Sequence, residues 1–469
     1  MAEAITTTYL CSYVELRFIV NFRTEAFRRV EYRTINHFVC AFLIAVFGVV
    51  HGVVAQTTIV VSKPKERFPI SIPNPCFFGI APGASAAVAQ TMSKDLEISG
   101  LFDVKNPESY ISNREVCVSG FVEDYSDWRL IKSDWLVRGA ITRGPGGIDV
   151  RLYLHDVTSG RQVLGKEYHG SERDLPSITH RFSNAVLKYV TGEEGPFGSK
   201  IAFVSRVGRF KEIFVMDIDG TNVRQMTREK GLALSPSWNP KGDLILYTSY
   251  QRRVPDLFVL PYPTGVARSL TRSPALEVGG RFSPDGQYVI SSVSGTGKGS
   301  DLALFDRTGR VQQLIGAGNG SIDISPSFSP DGREIVFCSD RSGSPQIYRA
   351  SIGGGEARRV SFGNSSYCTS PDWSPKGDKL AYVCRLNGSF QLFVSQADGS
   401  QSNQITDSGN NEDPSWSPDG RYLAFASTFG KRSGFDIAVL RLADKYQSTS
   451  MNQVTFNPAD DTDPSWGPI

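Results

Sequence analysis

From about Lys200 to the C-terminus, hydrophobic and polar positions fall into one recurring arrangement. Each unit has an aromatic, usually two residues after a proline, and then a tight turn. An apolar β-rich run follows, such as Glu334-Ile335-Val336-Phe337-Cys338 or Lys379-Leu380-Ala381-Tyr382-Val383-Cys384. A polar loop leads to a third run (Gln346-Ile347-Tyr348-Arg349, Gln391-Leu392-Phe393-Val394), and a short fourth one ends near Ile405-Thr406. Such runs, bounded by turn residues, predict strands. Aligned on Trp238, Phe282, Phe328, Trp373, Trp416 and Trp466, the units step by 44, 46, 45, 43 and 50 residues. A period of this size means stacked supersecondary units, and four strands per unit is the blade of a β-propeller.

The turns have a physical cause. In Asn239-Pro240-Lys241-Gly242, Ser283-Pro284-Asp285-Gly286, Ser329-Pro330-Asp331-Gly332, Ser374-Pro375-Lys376-Gly377 and Ser417-Pro418-Asp419-Gly420, proline fixes φ and glycine accepts a positive φ. The third-strand signature occurs six times, starting at Glu212, Asp256, Asp301, Gln346, Gln391 and Asp436. The first copy lacks the aromatic strand before it, and Asp463-Pro464-Ser465-Trp466 has nothing after it. The two halves predict one blade, completed by the C-terminal strand, in a closed six-bladed ring without exposed edges.

Ahead of the repeats the pattern is α/β. Phe68–Pro73 reads as a strand, and Ala84–Ser99 has helical spacing (Val88, Met92, Leu96) with Gly100 as its cap. Asp134–Thr142, Ile148–His155 and Gln162–His169 read as sequential strands. Pro176–Thr191 reads as a helix with Ile178, Phe182, Val186 and Val190 on one face. The apolar run Phe38–Val50, with Val53-Val54-Ala55 behind it, reads as an export signal cleaved between Ala55 and Gln56; an uncleaved anchor is the alternative. The expected organisation is residues 1–55 as leader, 56–67 as a short arm, 68–194 as an α/β domain and 195–469 as the all-β six-bladed propeller.

Composition narrows the function mainly by exclusion. A formal charge of +2 on 469 residues gives no reason to expect nucleic acid or an anionic membrane as partner. Of seven cysteines none forms Cys-x-x-Cys, so neither a zinc site nor a redox motif is indicated. Cys76, Cys117, Cys338, Cys368 and Cys384 read mostly as small buried hydrophobes, with Cys368–Cys384 or Cys76–Cys117 able to pair in an oxidising compartment. The chain has no Gly-x-Ser-x-Gly elbow and no His-Glu-x-x-His, and His155, His169 and His180 read as packing or surface residues. Ser294–Ser300 only superficially resembles a phosphate loop and reads as a turn. Asp323, Glu412, Asp413 and Asp460–Asp463 read as a solvated rim in preference to an axial cation site. The expectation is a binding protein, not an enzyme, with no cofactor. Its function belongs on the loop face opposite the Pro-Asp-Gly turns.

Together, leader, small α/β domain and closed propeller resemble the TolB family of the Tol–Pal system over residues 57–469. The specific matches are Phe68–Pro73, Asp95–Phe102, Asp127-Trp128-Arg129, Val215–Gly220 and Arg341–Tyr348. The resemblance implies a monomeric periplasmic protein that docks the lipoprotein Pal on the propeller loops and signals to TolA through its arm. It thereby serves outer-membrane integrity and constriction at division. By resemblance, the arm is Gln56, Thr57, Thr58, Ile59, Val60 and Val61 onward. The Pal face would hold Leu276, Glu277, Asp323, Ile324, Ser325, Thr369, Ser370, Glu412 and Asp413. Known members carry His at the position of Leu276 and Glu at that of Ser325. The alternative is the propeller of a secreted peptidase-like or lectin-like protein; the peptidase form would need a hydrolase domain beyond Ile469.

Overall fold

Because each apolar run is followed by a forced reversal, the repeats fold as antiparallel sheets. The computed structural model describes residues 67–79, 82–111, 124–252, 254–294, 299–316, 320–362, 365–429, 434–442 and 448–469. The leader with its cleavage site, arm residues 56–66, Cys117 and turn residues 295–298 lie outside them. Six four-stranded sheets form the propeller. In blade 1 the innermost strand is Asp461–Trp466, paired antiparallel with Lys200–Val207, so that Ser465 faces Ala202 and Trp466 faces Ile201. The C-terminal strand therefore closes the ring, as the two half-repeats require. Blades 2 to 6 begin with innermost strands Ala233–Trp238, Leu276–Phe282, Asp323–Phe328, Cys368–Trp373 and Asn411–Trp416.

In blades 1, 4 and 5 the first residue of the third-strand signature has a structural task. In blade 1 the Thr227 hydroxyl accepts from Ile213 N–H at 2.8 Å and donates to the buried Glu212 carboxylate at 2.6 Å. Ser361 does the same between Ile347 and Gln346, and Thr406 between Leu392 and Gln391. In blade 2, Thr271 takes the Leu257 N–H but donates to Glu277 instead. These hydroxyls tie the short fourth strand to the third and satisfy groups that would otherwise be buried unpaired.

Neighbouring blades are joined by the residue just before the aromatic. Ser327 Oγ accepts the Trp373 backbone N–H of the next blade at 3.1 Å, Asp372 accepts that of Trp416 at 2.9 Å, and Ser415 accepts that of Trp466 at 2.9 Å. Side-chain N–H groups add to this, since Trp416 Nε1 donates to Asp372 O and Trp238 Nε1 to Ser465 O. Gly467 has no side chain for a steric reason: a Cβ there would lie 2.9 Å from the Trp238 ring.

The small domain is a sheet of β1 (Phe68–Ser71), β2 (Cys76–Phe78), β3 (Phe102–Val104), β4 (Trp135–Gly144), β5 (Gly147–Asp156) and β6 (Arg161–Gly170). The order is β3-β1-β4-β5-β6; β1 runs parallel to β3 and β4, and β4–β6 form an antiparallel meander. Helices α1 (Pro82–Ile98) and α2 (Leu175–Thr191) cover it. Val88, Met92 and Leu96 of α1 and Ile178, Phe182 and Val186 of α2 are buried in one core with Ile70, Ile141 and Leu152. Left-handed Gly192, at φ 77°, ends α2 with its N–H on Lys188 O.

That core continues into Ile201, Ile218, Tyr422, Val439 and Trp466 of blades 1 and 6, so the small domain is fused to the propeller. Arg441 pairs with Glu193 at 2.8 Å, Arg421 donates to Glu194 O at 3.1 Å, and Trp466 Nε1 donates to Ser199 Oγ at 2.7 Å. All these contacts lie at the Pro-Asp-Gly end of the ring, leaving the other face open.

The cysteines depart from the expectation. Cys368 and Cys384 stand directly opposite each other on adjacent strands and are bonded, and Cys76 is also disulfide-bonded. Among the described residues only Cys338 is a free, buried thiol. Register across strands, which spacing alone does not supply, decides the pairing.

Replacing Ser415 with Ala leaves the Trp466 backbone N–H buried without its acceptor. We expect urea unfolding to show a loss of about 1–3 kcal/mol, the usual cost of an orphaned buried group.

Candidate partner face and axial channel

Each innermost strand carries one irregularity at the same place. Register shifts fall between Leu234 and Ser237, Val278 and Arg281, Ile324 and Ser327, Thr369 and Asp372, Glu412 and Ser415, and Thr462 and Ser465. The bulged residues Ser235, Gly279, Ser325, Ser370, Asp413 and Asp463 all have φ between 49° and 69°. A bulge bends its strand and re-aims a side chain. Here six of them line one end of the axial channel, with Arg281 and the following prolines. Five of the six positions are Ser or Asp, whose short polar side chains fit this backbone.

The electrostatics of the channel are lopsided. Asp413 of blade 6 and Asp463 of blade 1 stand together at the axis. Ser370 Oγ donates to Asp413 Oδ1 at 2.9 Å, and Ser235 N–H to Asp463 Oδ2 at 3.2 Å. Removal from bulk water, then the neighbouring Asp463 charge, pushes the Asp413 carboxyl well above the ordinary carboxylate range. Deeper in, Asp372 accepts from Ser327 Oγ at 3.0 Å and lies in the field of Arg281. Burial raises its pKa too, against the pull of that guanidinium.

The expected solvated rim is thus corrected. Asp323 and Asp461 are fully buried, and Asp413 and Asp463 turn to the channel. Asp323 receives Ser321, Ser339 and Arg341, the last at 2.8 Å, while the Arg341 guanidinium lies over the Phe337 and Tyr348 rings at 5.1 and 4.9 Å. Alternation along a strand turns these carboxylates inward, which a run of acids in sequence does not reveal.

Among the residues assigned to the partner face by resemblance, the structure separates three groups. Leu276 and Ile324 are exposed, at 46% and 36%. Ser325, Ser370 and Asp413 are half-buried and line the channel mouth, and Thr369 and Glu412, also half-buried, precede two of them in their strands. Glu277 and Asp323 are buried and spent on internal hydrogen bonds, so they are not surface contact groups. Sequence reasoning missed the rest of the apolar surface at this end. Leu232, Tyr250, Ile322 and Tyr367 are exposed beside the starts of the innermost strands of blades 2, 4 and 5. The available signal was a large apolar residue in the loop just before an innermost strand.

Because the folded-state pKa of Asp413 is raised, its ionised form disfavours the folded state. The cost is absent below the ordinary value of 3.8 and sets in as pH rises above it. Asp413→Asn keeps an acceptor for Ser370 and tolerates the left-handed backbone. Melting curves should place the variant above the parent at pH 7, with the gap closing towards pH 3.8; a lower Tm at pH 7 contradicts this account.

Comparison with known proteins agrees with this architecture. The family described as TolB beta propeller domain matches residues 187–469, and the TolB amino-terminal domain matches 57–163. The Tol-Pal system protein TolB of Bordetella pertussis is 30% identical over 306 residues, 62% of this chain and 65% of that protein. The match thus spans slightly under two thirds of that relative's length. The same-named protein of Syntrophotalea carbinolica is 33% identical over 162 residues, 34% of this chain and 38% of that one. The crystal structure of TolB from Acinetobacter baumannii superposes with a TM-score of 0.72 at 24% identity, covering 87% of this chain and 98% of that one. With the propeller, the small domain and both matches in register, the chain belongs to the TolB family of the Tol–Pal system.

Proposed function

We propose that this protein is a non-enzymatic docking component in the periplasm of a Gram-negative cell. It binds the lipoprotein Pal on the open face of the propeller and communicates with TolA through the arm at residues 56–67. In this role it supports outer-membrane integrity and constriction during division. The observation that carries the reading is the set of exposed apolar side chains around the channel mouth. Leu276 and Ile324 protrude, and Leu232, Tyr250, Ile322 and Tyr367 flank them, all on the face away from the small domain. Apolar anchors surrounded by polar groups are the usual composition of a partner-binding patch. The Ser and Asp side chains of the bulges supply the polar part.

Family membership favours Pal over other partners, and the rigidity of the six sheets favours docking without large rearrangement. Export by the leader and cleavage between Ala55 and Gln56 accord with the disulfides at Cys76 and between Cys368 and Cys384, which persist in oxidising compartments.

The test is calorimetric titration of the mature protein with the soluble domain of the same organism's Pal. The double variant Leu276→Asp, Ile324→Asp should bind at least about tenfold more weakly, equivalent to about 1.4 kcal/mol. Deletion of residues 56–67 should change the affinity if the arm reports on the docked state. Absence of binding at high micromolar concentration, or equal affinity in the double variant, overturns the assignment.

A further inference from the structure

A second constellation lies at the junction of the small domain and blade 1, remote from the partner face. His180 of α2 is 1% exposed; Asp217, which ends the third strand of blade 1, and Asp219, in the turn that follows, are 1% and 4% exposed. Each can bring a ligand atom to within 4.8 Å of the other two. His180 Nδ1 is already engaged, facing both oxygens of the buried Asp95 of α1 at 2.9 and 3.1 Å. Its Nε2 has no hydrogen bond, and the nearest carboxylate oxygen, Asp217 Oδ2, is 3.5 Å away. Asp219 Oδ2 is likewise buried with no hydrogen-bond partner. The other carboxylate oxygen of Asp219 accepts from Thr221 N–H and Oγ1, so Oδ2 alone is left to turn toward an ion.

We propose that His180 Nε2, Asp217 and Asp219 form a binding site for one divalent first-row transition ion of the zinc class, pinning α2 to blade 1. An imidazole with two carboxylates is a donor set that zinc accepts. The Asp95 carboxylate on Nδ1 is the partner that orients a metal-ligating histidine and directs its other nitrogen outward. Tetrahedral zinc with bonds of about 2.0–2.2 Å needs donor separations of roughly 3.4 Å. The His180–Asp217 pair already meets this at 3.5 Å, and Asp219 has to close in by rotation of its carboxylate.

The loop is held in place for such a task. Gly220, at φ 79°, abuts blade 6, where a Cβ would come within 1.9 Å of Val454 O. Lys200 and Asn222 bind Asp217 from the side, Asn222 at 2.7 Å. On binding, the ion takes the place of whatever proton Nε2 carries, and that proton leaves to solvent. No covalent bond breaks, and the hydrogen bonds of Asn222 to Asp217 Oδ2 and of Thr221 to Asp219 readjust as the carboxylates turn to the ion.

The experiment is zinc titration of the chelator-stripped full mature protein by competition with a chromophoric chelator, with metal content measured after dialysis. One zinc per chain and a higher Tm in its presence are expected. Asp219→Asn keeps the acceptor for Thr221 and should weaken binding by at least about tenfold. Asp413→Asn and His169→Ala, at the channel and on the surface, should bind as the parent does. Zinc-edge anomalous scattering from crystals of the unmutated protein removes dependence on how the variants fold. A peak at His180 Nε2 supports the site. A peak elsewhere, no stoichiometric zinc, or unchanged affinity in Asp219→Asn overturns it.

Discussion

Three of the six blade boundaries rest on one recurrent hydrogen bond, from the aromatic's backbone N–H in one blade to the side chain before the aromatic in the previous blade. Ser327, Asp372 and Ser415 accept these bonds in blades 4, 5 and 6. The innermost strand of a blade is a sheet edge. Unless its inward groups are satisfied by the neighbour, the propeller has unpaired backbone along its axis. This gives a role to the small polar residue that stands beside the large aromatic in every unit except blade 3, where it is Arg281. The polar group reaches across the blade boundary while the ring fills the space between sheets. The terminal strand Asp461–Trp466 then carries two roles at once. It supplies the edge of blade 1 and, through Trp466, both the last inter-blade bond and a contact with Ser199 of the domain linker.

From this constraint follows the difference between the two ends of the ring. At the Pro-Asp-Gly end the turns are short and self-bonded, as where Ser417 Oγ donates to Asp419 and accepts from Tyr422 N–H. This regular surface packs against the small domain. At the other end, the bulges shift the strands just as they approach the axis, and the loops vary from blade to blade. Function on loops over a rigid scaffold is the general expectation. Here the scaffold also fixes which side chains reach the loops, because the residue after an exposed one, such as Glu277 after Leu276, is turned inward.

The architecture was largely legible because its signals are periodic. Aromatic spacing gave the blades, the half-repeats gave the closure, and apolar spacing placed α1 and α2 to within about two residues. What was not legible depends on contacts between distant positions. Cys368–Cys384, one of the two pairings the sequence left open, is decided by register; Asp323 finds Arg341 across a strand pair, and Asp95, His180 and Asp217 meet from three separate segments. A local reading treats His180 as one packing residue on a helix face, and the packing part is right. Its charge environment is set by residues far away in sequence.

That environment gives the junction a character the channel lacks. At the axis, burial and then the neighbouring Asp463 carboxylate make Asp413 resist ionisation. At the junction, burial alone would pull the pKa of His180 down. Without a bound ion, the Asp95 and Asp217 carboxylates reverse this and push it up to about 10, while the nearby His180 and bonds from Asn222 and Lys200 hold Asp217 near 2 against its own burial. A buried cation shared between two domains is costly to break, because separating them strands charges on both sides. The two domains are therefore joined by apolar packing that is indifferent to direction and by an ionic lock that is not. Blades 6 and 1 carry both the paired acids of the channel and this lock.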